Sequence, residues 1–110
     1  MHWLLAHFIG DWLFQGDGTA LAKKESTLIC LRHVCIYMVL FLLVPGMVWW
    51  KFLLIAVQHY AIDRTQFVSW WLRTFNRKNF LKEDHPMFPL GYIVTDQLLH
   101  IVWIALVMAL

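Results

Sequence analysis

Cysteine and charge are both scarce in this chain of 110 residues. Cys30 and Cys35 are its two cysteines, and at a spacing of five on one helix their side chains diverge, a poor geometry for a bridge. They read as small buried hydrophobes, and the lack of matched cysteines argues against a structural Cys-rich zinc site. Charged residues make up 15% of the chain and the net charge is +2. That leaves no basis for nucleic-acid binding. The cations cluster between apolar stretches, where they speak to membrane orientation and anionic headgroups. No basic residue precedes the first apolar stretch and no small-residue cleavage site follows it, which argues against a removable signal peptide. Internal repeats and low-complexity tracts are also missing.

What is present is apolar mass: 61% of residues are hydrophobic, 16% are aromatic and seven are tryptophan. This is too apolar for an ordinary soluble domain of this size. The chain therefore reads as a single helical membrane domain over residues 1–110, an all-α integral membrane four-helix bundle. Segment one, Met1 to Gln15, spans only about 22 Å against a hydrocarbon core of roughly 30 Å, so it is short or partly inserted. Gly16, Asp17 and Gly18 break it, and Lys23, Lys24 and Glu25 make a polar loop. Segment two runs from Thr27 to Val44, turns at Pro45 and Gly46, and passes into segment three, Val48 to Ile62, as an antiparallel hairpin. Between Arg64 and Phe88, cations alternate with Phe67, Trp70, Trp71, Phe75 and Phe80, which predicts an interfacial amphipathic helix between segments three and four. His85, Pro86 and Pro89 end it, and segment four occupies Leu90 to Leu110.

Basic residues fix the expected orientation. Lys23, Lys24 and Arg32 lie at one face with Arg64, Arg73, Arg77, Lys78 and Lys82, whereas the opposite turn carries Lys51. The positive-inside rule then puts both basic loops in the cytoplasm and both termini outside, in the inner membrane.

Three apolar stretches carry His and Asp four residues apart: His7 and Asp11, His59 and Asp63, Asp96 and His100. That spacing projects each pair from one helix face. An intramembrane Asp costs roughly 2.5 to 3.5 kcal/mol, and such groups turn inward to serve a site. The orientation above puts these six residues, with His33, in the cytoplasmic half of the bundle. We therefore expect His7, Asp11, His33, His59, Asp63, Asp96 and His100 to converge as metal ligands, as helical bundles build such sites. Imidazole with carboxylate suits zinc, iron or manganese, and zinc fits best. The surplus beyond four ligands would form a second metal position or orient the ligating histidines. Gln15, Tyr37, Gln58 and Gln97 lie beside these groups and offer hydrogen bonds to water or a substrate oxygen. The plainer alternative is polar glue, in which His and Asp pair across helices at roughly 0.6 kcal/mol per hydrogen bond. His2 and His85 lack such company and read as interfacial or solvated.

The pattern His7-x3-Asp11-x3-Gln15, His33-x3-Tyr37, His59-x2-Ile62-Asp63-Arg64 and Asp96-Gln97-x2-His100 resembles a family of small bacterial and phage membrane proteins. That family is catalogued as a domain of unknown function, number thirty-three oh seven. The resemblance covers nearly the whole chain and implies a helical membrane fold. A looser similarity, through intramembrane His and Asp pairs, points to membrane-bound metal-dependent hydrolases.

The resulting expectation is a metal-dependent hydrolase acting on a phosphoester or lipid-headgroup bond at the cytoplasmic leaflet. Metal-bound water would be the attacking group, Asp63 or Asp96 the catalytic carboxylate, and Arg64 and Arg73 the holders of an anionic headgroup. Tyr37, Gln15 and Gln97 would complete the substrate side. Two non-enzymatic alternatives stand beside it. One is a small membrane effector that binds a host membrane protein or a second copy of itself; the other is an ion- or proton-handling protein. The apolar outer half, with no matching polar exit, disfavours a pathway through a monomer.

Overall fold

A computed structural model of the chain describes residues 1–13, 26–75 and 90–110. Gln15, the Gly16 to Gly18 break, Lys23, Lys24, Arg77, Lys78, Lys82 and the His85 to Pro89 stretch lie outside these residues. The described residues form helices joined by turns and short extended links: α1 (Trp3–Phe8), α2 (Thr27–Phe41), α3 (Trp49–Arg64), α4 (Phe67–Thr74) and α5 (Leu90–Ala109).

Local chemistry explains the boundaries. His2 caps α1 by accepting the Leu4 amide at Nδ1 (3.1 Å), a role its solitary position in the sequence did not suggest. Ser26 caps α2 by accepting the Ile29 amide at Oγ (3.3 Å). That helix stops at Phe41, three residues before the expected Val44. Its last turn tightens, with Leu42 and Leu43 donating to Val39 and Leu40, and Pro45 then forbids continuation. Gly46 takes φ +81°, which lets the chain reverse into α3. The reversal packs α3 antiparallel to α2, and α5 packs on the other side of α3.

Segment one is not a uniform helix. After Phe8 the chain widens into a π-helical turn, Ile9–Leu13, which contains Asp11. Such turns are rare and concentrate at functional sites. Gly10 lies against α2 so closely that a Cβ there would meet Tyr37 Cδ2 at 2.8 Å and its Cα at 3.3 Å. Only glycine permits this approach, which brings Asp11 toward His33.

The interior is divided along its length. At one end Phe41, Val44, Ile55, Ile104 and Val107 are buried together. Nearer the other end the buried groups are His7, Asp11, His33, His59, Asp63 and His100, each at most 3% exposed. A smaller apolar cluster of Ile62, Val68 and Leu72 then docks α4 against Tyr92 and Leu99. The outer surface reverses the usual order: Leu28, Val39, Leu42, Val57, Val102 and Leu106 are among many exposed apolar side chains.

Among the described residues, one helix is long and apolar enough to cross a membrane. It is α5, 20 residues with a mean hydropathy of 1.7 over its best window. At 1.5 Å per residue it is about 30 Å long. Helix α2 is apolar but has 15 residues. Within the stretch expected as an interfacial helix, the described residues form α4, whose Phe67, Trp70, Trp71 and Phe75 rings pack on one another at centroid distances of 4.5 to 6.2 Å.

Candidate metal centre

Four helical stretches each deliver polar side chains to one buried layer. The π turn supplies Asp11, α2 supplies His33, α3 supplies His59 and Asp63, and α5 supplies Asp96 and His100. The α3 pair, four residues apart, brings His59 Nε2 within 3.0 Å of Asp63 Oδ2. His33 Nε2 reaches the same oxygen at 3.1 Å and Asp11 Oδ1 at 3.2 Å. His59 Nε2 is 3.7 Å from Asp11 Oδ1, and the two Nε2 atoms are 3.1 Å apart.

Those five separations are close to the edge lengths of a tetrahedral site. Four donors at roughly 2.0 to 2.1 Å from a central ion stand about 3.3 to 3.4 Å from one another. Two imidazole nitrogens and two carboxylate oxygens are also a chemically ordinary donor set for a divalent ion. Hydrogen bonds alone explain the packing poorly. Each Nε2 faces three acceptor-capable atoms and carries at most one proton to share among them. Asp11, His33, His59 and Asp63 could together hold one metal ion.

His7, the remaining histidine of the layer, is engaged differently. Its Nε2 lies 2.7 Å from Gln97 Oε1 and its Nδ1 lies 2.7 Å from the Tyr37 hydroxyl. Gln97 Nε2 donates to Asp11 Oδ2 at 2.8 Å, so a carboxylate fixes the amide with its oxygen toward His7. His7 Nε2 therefore donates, and Nδ1 accepts from Tyr37. Both nitrogens are occupied, so His7 holds Gln97 and, through it, Asp11. Tyr37 has a further contact: its ring stacks on His59 at 3.8 Å between centroids, with planes 14° apart.

His100 lies against the same group, its ring centroid 4.3 Å from that of His59. Its Nδ1 meets Gln58 Oε1 at 3.3 Å, while Gln58 Nε2 donates to the Leu99 carbonyl at 3.4 Å. Gln58 thus bonds a histidine, where its sequence position had suggested a water or a substrate oxygen. Asp96 is the layer's more open carboxylate, its side chain 15% exposed.

The residues expected on the substrate side are scattered. Tyr37 and Gln97 are inside the layer, bonded to His7. Arg64 donates from Nε to Thr27 Oγ1 at 3.2 Å, at the rim of the layer. Arg73 is on the exposed face of α4, and Gln15 lies outside the described residues. Cys30 is buried with its Sγ directed at the Tyr60 carbonyl, and Cys35 is exposed.

Beside the layer, an apolar cleft of about 690 Å³ opens between α3, α4 and α5. Its wall includes Gln58, Ile62, Trp71, Leu98, Val102 and Leu106, so the residue that bonds His100 is also exposed to the cleft.

The family model described as "Protein of unknown function (DUF3307)" matches residues 1–110. The chain belongs to that family. No curated protein and no solved structure matches it.

Proposed function

We propose that this DUF3307 chain is a helical membrane protein whose buried Asp and His layer holds a divalent metal, with zinc fitting best. We further propose that it hydrolyses a phosphoester or other headgroup bond at the cytoplasmic leaflet. The convergence of the Asp11, His33, His59 and Asp63 donor atoms, with five separations of 3.0 to 3.7 Å, carries this reading. A metal-free scaffold has little reason to keep it, because burying charged groups costs more than burying leucine.

The bundle surface supports the membrane part. Many large apolar side chains face outward while His7, Asp11, His33, His59, Asp63 and His100 are buried, the order expected when the surroundings are lipid. On this reading α1, α2, α3 and α5 are the four membrane segments and α4 lies at the interface. The basic loops face the cytoplasm from the inner membrane and both ends of the chain face outward.

A divalent ion held in the layer would supply Lewis acidity and an acidified water. The chain's own groups do the rest. His7, Tyr37 and Gln97 hold the ligands in position. Asp63, expected as the base, lies among the donor atoms, so the proton of the attacking water falls to Asp96 at the open edge. The cleft suits an acyl chain, and Arg64 and Arg73, carried by α3 and α4, would hold the phosphate.

The test uses metal-loaded protein reconstituted in vesicles of phosphatidylglycerol and phosphatidylethanolamine, with headgroup release as the readout. Wild type should release headgroup, and Asp96→Asn should be about 100-fold slower or worse with its first-site metal intact. Full metal loading without turnover of any lipid would move the assignment to the effector class.

A further inference from the structure

We propose a second cation position beside the first, making the layer a carboxylate-bridged dinuclear centre; the proposal rests on the metal reading above. His100, Asp96, Asp63 and Asp11 would hold it.

His100 carries the argument. Gln58 Nε2 is committed to the Leu99 carbonyl, which turns Gln58 Oε1 toward His100 Nδ1. An oxygen there can only accept, so Nδ1 bears a proton, and in the neutral imidazole Nε2 presents its lone pair. That lone pair points at carboxylates: Asp63 Oδ1 is 3.3 Å away and Asp96 Oδ2 is 3.8 Å away. His100 is fully buried, and its Nε2 makes no hydrogen bond among the described residues. A lone pair facing buried carboxylate oxygens is repulsive unless a cation, a second proton or a metal ion, lies between them, and the three carboxylates of the layer suit a divalent ion.

The second position has a donor group that shares Asp11 with the first. Asp11, Asp96 and His100 each offer one ligand atom, all within 4.8 Å of one another. Asp63 joins the two positions through its two oxygens, because Oδ2 faces His33 and His59 while Oδ1 faces His100. A carboxylate used this way sets two ions about 3.5 to 4 Å apart, the spacing of two-metal hydrolytic sites. Asp96 would meet the second ion through Oδ2, the oxygen that faces His100.

Charge balance points the same way. Asp11, Asp63 and Asp96 bring three negative charges to the layer. One divalent ion leaves a net negative charge, which repels an anionic phosphoester. Two leave a net positive charge, which attracts it.

Manganese(II) is the probe, with stoichiometry by equilibrium titration and electron paramagnetic resonance of the intact protein in detergent. Wild type should bind two ions per chain and give the broadened spectrum of an exchange-coupled pair. His100→Gln should bind one ion and give the six-line spectrum of an isolated centre. Gln58→Leu, which removes no ligand, should weaken the second ion about 10- to 100-fold and leave the first unchanged. A wild-type protein that saturates at one ion overturns the second position and leaves the first intact. Two ions in folded His100→Gln would also overturn it. A folded protein that binds none overturns both.

Discussion

At the end of the bundle closed by the Pro45 and Gly46 turn, Phe41, Val44, Ile55, Ile104 and Val107 fill the space between α2, α3 and α5. Along the same helices toward the other end, the interior is filled by His33, His59, Asp63 and His100, with His7 and Asp11 brought in from the N-terminal segment. Both regions are tightly buried, but for different reasons. The apolar end gains from close packing and asks nothing of its neighbours except shape. The polar end costs free energy at every group, and that cost is offset only if each donor and acceptor finds a partner. The first region therefore accounts for the fold, and the second needs another reason to be kept, which the proposed metal supplies.

If that division is right, the largest effect of any single change should come from a donor in the polar end. His59→Ala removes one corner of the tetrahedron and the stacking partner of Tyr37. It should abolish retention of metal through purification, and it leaves Asp63 buried beside one imidazole fewer, a loss of roughly 3 to 5 kcal/mol. Metal analysis together with a denaturation midpoint reads both. Retention of metal by a folded His59→Ala protein would erase the distinction between the two regions.

Phe41→Ala probes the other end. It should cost about 3 kcal/mol or somewhat more through the cavity it leaves, with metal content unchanged. Loss of metal in that variant would mean that the two ends are one cooperative unit. Gly10→Ala is an intermediate case, since its new Cβ would press on Tyr37. A destabilisation of about 1 to 3 kcal/mol is expected, together with weaker metal binding, because Asp11 must move with the π turn. The smallest effect should come from Gly46→Ala, where the positive φ is strained but nothing crowds the position. About 1 kcal/mol of stability should go, with no change in metal affinity.

Much of the fold was legible because run lengths and breakers are local. Pro45 and Gly46 mark the reversal and the apolar run after Pro89 gives α5 to within a residue. The pairing of His and Asp at helical spacing was equally legible, since a spacing of four says which side chains share a face. What spacing cannot say is which of two similar pairs supplies ligands. His7 and Asp11 look like His59 and Asp63 in sequence, yet His7 is taken up by Tyr37 and Gln97, residues 30 and 90 positions away. That difference depends on tertiary placement. The π turn was hidden for a related reason: one wider turn barely alters an apolar run of fifteen residues. Its one available signal was Gly10, directly before Asp11 inside an otherwise helical stretch. Gln58 was recognisable as a polar residue beside the histidines, but its bond to His100 depends on the pairing of α3 with α5.

The central claim is that the polar end is a metal centre, and X-ray absorption at the zinc edge tests it most directly. Protein purified in detergent without chelator and loaded with zinc should show a first shell of nitrogen and oxygen alone at about 2.0 to 2.1 Å. The outer-shell scattering of imidazole should accompany it, and both should vanish in His59→Ala. A folded, helical wild-type protein that takes up no zinc, or one whose zinc shell contains sulfur from Cys30 or Cys35, would contradict the account.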